Sequence, residues 1–345
     1  MMFLKGVGAL LLTIVCFSVF SIKFPKGDLA MGGLANAAVA TFLVEAIFKY
    51  ICGDFLGISF LGEVGAACGS MGGVASAALV GIAMGTDPVY ALATAAALSG
   101  FGILPGFIAS YVLFFVLKWL DKKLPTGLDI ILCSLLAAAA GRGIAVLVDP
   151  AINAVICTVG DAISAATMQT PIFMGFLLGG IMKIICTSPL SAMALTAMLG
   201  LTGLPMGIAA VACFGGAFSD GVVFKRLNLG DKGNVLGVML EPLTQADIIT
   251  KNPIPIFGSN FLGGGLSGIV AVTLGIVNNA PGTSAPIPGL LAPFAFNKPS
   301  TVLLAMAIAA CCGALSGYIG SSVFEKLGFK KEGPAIKTLS ANTCV

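Results

Sequence analysis

The sequence contains no histidine, and only 10% of its 345 residues are charged. The missing imidazole excludes Ser-His-Asp catalysis, histidine metal ligation and phospho-histidine relays within this chain. The shortage of charge excludes a water-facing globule, since soluble domains carry about 25% charged residues. Eighteen Lys+Arg and fifteen Asp+Glu cannot coat a surface of this size. A net charge of +3 on scattered lysines leaves no patch for nucleic acid. The ten cysteines show no CxxC spacing, and all but Cys344 lie in or beside apolar segments. Thiols there behave as small hydrophobes, so reduced cysteines without metal or disulfide are expected. The neighbours Cys311 and Cys312 read as helix packing. Nothing points to an enzyme, and no cofactor is required.

What is present is apolar: 58% of the residues are hydrophobic, and 46 glycines sit inside the apolar runs. Small residues let membrane helices approach closely. A membrane β-barrel would need ~10-residue stretches of alternating polarity, which these unbroken runs are not. The expectation is an all-α, polytopic integral membrane protein embedded in a lipid bilayer.

A spanning helix needs about 20 apolar residues. The first, 5–22, begins like a secretory signal but lacks a small-x-small cleavage site before Lys23. It reads as a retained helix. Further spans are predicted at 31–52, 60–84, 89–106, 107–120, 128–148 and 151–166. After them come a long uncharged stretch interrupted only by Lys183, then 257–277, a short apolar 290–296, and 301–323. The total is about ten transmembrane helices. A composition shift near 168–171 divides the chain into membrane subdomains 1–167 and 168–345. Basic clusters at Lys118/Lys122/Lys123, Lys225/Arg226/Lys232 and Lys326/Lys330/Lys331/Lys337 should face the cytoplasm. Lys23 and Lys26 pull against that topology if the span count is even, which leaves the first helix unoriented.

Charges inside apolar runs are functional candidates by default. Glu45 and Lys49, four apart, share a helix face and read as an ion pair. Glu63 either lines a cavity or marks an interfacial helix start. Arg142 and Asp149 lie two turns apart on one face and read as a mutually satisfied pair. Two polar interruptions say more. TSPLS (187–191) and NNAPGTSAPIPG (278–289) place Pro, Gly, hydroxyls and amides at apparent membrane depth. Broken backbone is tolerated there only inside protein or along a wet cavity. These segments read as two re-entrant hairpin-like elements whose tips hold a polar solute. The bland alternatives are a capped proline kink for the first and an ordinary solvent loop for the second. Thr187, Ser188, Ser191, Asn278, Asn279, Thr283 and Ser284 would supply hydrogen bonds. Glu241, followed by Pro242, and Gln245 are weaker candidates in a segment too polar and too short to span.

The order QTPIFMGFLLGGIM, TSPLSAMALTAMLGLTGLPMGIAAVAC, QADIITKNPIPIFGSNFLGG, NNAPGTSAPIPGLL resembles one family. It is the membrane proteins similar to enzyme IIC of the sugar phosphotransferase system, perfringolysin-regulator-like proteins included. The likeness is clearest over 168–296. It implies a homodimer with a dimerising scaffold, 1–167, and a mobile transport half, 168–345, moving in an elevator-like way in the cytoplasmic (inner) membrane. In sugar IIC proteins a Glu in a Thr-Glu-Pro-like motif holds sugar hydroxyls. Gly282-Thr283-Ser284-Ala285-Pro286 occupies what looks like the equivalent place, without the Glu. No IIA or IIB sequence is present, so the chain alone should not carry a phosphoryl group. The resemblance leaves three roles: a transporter for a small polar solute such as a sugar, a permease served by separate IIA and IIB proteins, or a membrane sensor.

Overall fold

The computed structural model describes residues 2–125, 127–188 and 191–327, so Pro189, Lys330, Lys331, Lys337 and Cys344 lie outside the described residues. No strand occurs among the described residues, and fifteen α-helices carry the chain. In the first half these are α1 (Met2–Lys23), α2 (Gly27–Ala38), α3 (Ser59–Ser70), α4 (Gly72–Met84), α5 (Pro88–Ala97), α6 (Ile103–Asp121) and α7 (Leu128–Gln169). Between α2 and α3 the chain winds as two wider π-helical stretches, Val39–Leu43 and Ala46–Phe55. The second half holds α8 (Pro171–Cys186), α9 (Ala192–Met198), α10 (Gly203–Leu227), α11 (Lys232–Leu240), α12 (Ala246–Lys251), α13 (Pro253–Thr273), α14 (Pro286–Leu291) and α15 (Pro299–Lys326).

Among the described residues, seven helical stretches are long and apolar enough to cross a bilayer, and α3 with α4, bent by 58°, makes an eighth if the bent pair is one span. The apolar helices α5 and α8 are shorter than these. One predicted boundary is corrected. The spans expected at 128–148 and 151–166 form the single 42-residue helix α7, with Pro150 inside it. A proline removes one backbone donor, and in a membrane helix the freed carbonyl can be satisfied locally, so the helix continues.

Glycines set the contacts of the second half. Gly175 and Gly179 of α8 face Gly268 and Gly264 of α13 so closely that a Cβ at Gly268 would strike the Gly175 carbonyl. On α10 and α15, a Cβ at Gly313 would strike the carbonyl of Gly215. Small residues four apart allow such backbone approach, and dispersion between the facing helices then replaces lipid contact. The largest buried apolar cluster draws on both halves, from Leu34, Val80 and Phe107 to Leu178, Met206 and Ile208.

These contacts also orient the helices. The Lys26 ammonium bonds to the Met84 carbonyl and lies 4.5 Å over the Phe114 ring, which Lys118 approaches at 5.3 Å. Lys23 and Lys26 therefore share an end with Lys118, Lys122 and Lys123. At the other end, Gly6 packs on Ala162 and Ala166, so α1 and α7 are antiparallel. The start of α8 lies there with the end of α13, and Gly207, near the start of α10, meets Ile276 just beyond it. The far ends of α10 and α15, joined by Arg226–Glu325 at 3.3 Å, thus return to the basic end. The two lysines that opposed a single basic face belong to it.

Candidate solute-binding site

The described residues of the two sequence breaks bond through their side chains to the backbone beside them. At the end of α8, Thr187 donates to the carbonyls of Ile184 (2.9 Å) and Lys183 (3.2 Å), and Ser188 to that of Ile185 (2.8 Å). Ser191, at φ +58°, caps α9 by accepting from the Ala194 N–H at 3.4 Å. In the second break, Asn278 accepts from the Ala280 N–H at 3.0 Å and donates to Thr283 Oγ1 at 2.8 Å. Thr283 in turn donates to the Ala280 carbonyl at 2.8 Å. Asn279 is exposed and accepts from the Gly203 N–H at 3.1 Å.

Ser284 brings the breaks together. Its hydroxyl donates to the Ala192 carbonyl at 2.7 Å and shares a 2.8 Å hydrogen bond with Thr196, both in α9. Gly282 makes the approach possible: at φ +81°, a Cβ there would crowd Phe42 and Ala197. Thr187, Ser191, Asn278, Thr283 and Ser284 are buried, and Ser188 is half-buried.

Beside this junction lies a cavity of about 360 Å³ between the two halves, bordered by Phe42, Ser70, Phe101, Asn153, Ala197 and Met198. Among the described residues, no charged side chain lines it. Its polarity comes from Ser70, Asn153 and the backbone of the glycine-rich turns at 69–72 and 100–102.

A second polar group was not foreseen. Lys183 of α8 and Asp220 of α10 are both fully buried and lie 2.6 Å apart, an ion pair with off-axis hydrogen-bond geometry. Asn260 of α13 donates to Asp220 at 2.7 Å and reaches Thr187 Oγ1 at 3.3 Å, linking the pair to the first break. Gly216 and Gly264 leave the room that the lysine stem fills. The available signal was Lys183 itself, the sole charge in the long run from 162 to 218, with Asp220 the next carboxylate. Glu241, half-buried in the segment joining α11 to α12, lies in electrostatic reach of Lys183. Burial pushes its carboxyl above the ordinary value, opposed by the Leu243 N–H and by the Lys183 charge. Gln245 is held instead against α11, accepting from Asn234 at 2.7 Å and donating to Thr244 at 3.0 Å.

Among the first-half charges, Glu45 and Lys49 pair at 2.8 Å as expected, and Glu63 is exposed on α3. The expected Arg142–Asp149 pair does not form. Arg142 donates to the Ala97 carbonyl at 2.6 Å and lies 5.2 Å over the Phe101 ring. The neighbouring hairpin offers an acceptor and a π-face at the level of the guanidinium, whereas Asp149 is two turns along.

With this geometry in hand, the comparison with known families decides the class. The profile described as "Phosphotransferase system, EIIC" matches residues 29–336. The chain belongs to this family. It is a multi-pass membrane protein of the permease kind that serves sugar transport in the phosphotransferase system. EIIC proteins are transport components and not soluble catalysts, and they work with separate phosphotransferase components and a solute. No curated protein matches the chain.

Proposed function

We propose that this EIIC-family protein carries a small, uncharged, hydroxyl-rich solute, a sugar, through the cavity beside the joined breaks. The observation that carries the reading is the absence of charge from the lining of a ~360 Å³ space that borders both halves. A carboxylate or phosphate entering it would lose hydration without gaining an opposite charge. Phe42 and Phe101 offer apolar faces, while Ser70, Asn153 and turn backbone offer hydrogen bonds. In this reading 187–191 and 278–289 are the tips of two re-entrant hairpins. Thr187, Ser188, Ser191, Asn278, Asn279, Thr283 and Ser284 exchange internal partners for solute hydroxyls as the site opens, with Glu241 and Gln245 as outer ligands.

The reading extends to the assembly. Glycine-to-glycine contacts along α8–α13 and α10–α15 stiffen the helices of the second half for an elevator-type movement against the first. The protein would work as a homodimer in the cytoplasmic membrane, with the phosphoryl group delivered by separate IIA and IIB proteins. Proteoliposomes containing only this protein test it. Neutral labelled sugars should equilibrate across the bilayer unphosphorylated, and sugar acids and sugar phosphates should not. Stable labelling of the chain by a phosphoryl donor, or uptake restricted to anions, would overturn it.

A further inference from the structure

A second pocket lies at the basic end of the bundle, away from the joined breaks. It occupies about 170 Å³ where the end of α4, the start of α5 and the end of α6 meet. Two carboxylates and two ammonium groups line it: Asp87, Asp121, Lys118 and Lys122. None of the four forms an ion pair with another described residue. Asp87 accepts from the Val89 N–H at 2.8 Å as the cap of α5, and Asp121 accepts from the Tyr90 hydroxyl at 3.1 Å. Lys118 leans on the Phe114 ring. The Thr86 hydroxyl, also in the lining, is buried and has no hydrogen-bond partner among the described residues. Charges of both signs thus border one space without satisfying each other, beside an unsatisfied hydroxyl.

The surroundings are those of a membrane surface. Lys26 anchors to the Met84 carbonyl next to the pocket. Trp119, one turn from the rim residue Lys122, is exposed and carries Lys123 at 4.1 Å over its ring. Tryptophan and lysine mark the headgroup level. Helices α5 and α6, which form the walls, also present exposed Val89 and Val116, along which acyl chains can lie.

We propose that this pocket binds the headgroup of an ethanolamine phospholipid. The phosphate would take charge-assisted hydrogen bonds from Lys118 and Lys122, and the primary ammonium would donate to Asp87 and Asp121. A choline headgroup has no N–H to donate, and a glycerol headgroup brings no positive charge to the carboxylates. The ligand distinguishes this site from the solute cavity, whose lining is uncharged.

The test uses the full chain, purified, delipidated and titrated with ethanolamine, choline and glycerol phospholipids in detergent, with melting temperature and native-mass binding as readouts. Wild-type protein should bind the ethanolamine lipid about fivefold more tightly than the other two. Asp87→Asn keeps the helix cap, and Lys122→Gln alters an exposed side chain, so both should melt like wild type without lipid. Asp87→Asn should cut the preference about threefold, and the double variant Asp87→Asn with Asp121→Asn should abolish it. Lys122→Gln, on the phosphate that all three lipids share, should instead weaken the three about equally. Equal binding of the three lipids, or a preference that survives in the double variant, would overturn the proposal. So would soluble phosphoethanolamine binding as tightly as the lipid, which would assign the pocket to a free zwitterion.

Discussion

At the level of single residues, the buried Lys183–Asp220 pair is where sequence and energetics meet most sharply. Removing one partner leaves an uncompensated charge in the core, a loss of about 3–5 kcal/mol, whereas removing both does not. Lys183→Met or Asp220→Leu should therefore lower the melting temperature strongly, and the double variant should melt above the worse single one. Additive losses would show that the two are not coupled. Ser284→Ala removes the hydrogen bonds to Thr196 and to the Ala192 carbonyl, but Thr196 still reaches that carbonyl at 2.8 Å, so the cost should be about 0.5–1.5 kcal/mol. Measuring melting temperature and sugar affinity on this variant separates a purely structural Ser284, which lowers only the first, from a ligand, which lowers both. Glu241 keeps its proton above the ordinary carboxylate value of 4.5. The folded state therefore binds that proton more tightly than the unfolded chain does. Stability should decline as pH rises from 4.5 through the raised value, and Glu241→Gln should flatten that decline in a melting profile. The breaks were legible as clusters of polar and helix-breaking residues. Their mutual contact was not, because Ser284 and Thr196 are 88 residues apart and nothing local pairs them.

Elements are governed here by how closely glycines let backbones approach. Gly268→Ala and Gly313→Ala each drive a methyl into a facing carbonyl, and overpacking of this kind costs about 1–3 kcal/mol. Gly143, on the exposed side of α7, meets nothing within 4 Å, so Gly143→Ala should be neutral or stabilise by up to about 1 kcal/mol. Thermal melts of the three variants check the contrast; similar losses in all three would mean that propensity and not packing decides. The sequence declared its spans through long apolar runs, but helix ends were harder to place. Pro150 looked like a boundary because proline ends helices in water, and membrane helices tolerate it. Arg142 was assigned a partner along its own helix, since linear spacing reveals neighbours on one element and none across to Ala97 and Phe101.

For the molecule as a whole, the scarcity of charge already fixed a polytopic membrane protein. The arrangement of basic ends needed three-dimensional contacts. With Lys23, Lys122 and Lys225 at one end, single cysteines introduced at these exposed positions, in a background of replaced native cysteines, should all react with an impermeant maleimide from the same side. Labelling from opposite sides would break the inferred topology. The division at 167/168 was read from composition, and the transition from α7 to α8 lies between Gln169 and Pro171. The hydrogen bonds from Ser284 into α9 carry a kinetic consequence. The second break is thus anchored on α9, the helix that follows the first, so in the proposed opening 278–289 cannot move while α9 stays in place. The proposed opening would then be one concerted step with one time constant, and probes attached to α9 and to 278–289 should report the same rate after a sugar jump. Slowing either segment by substitution would slow both signals together.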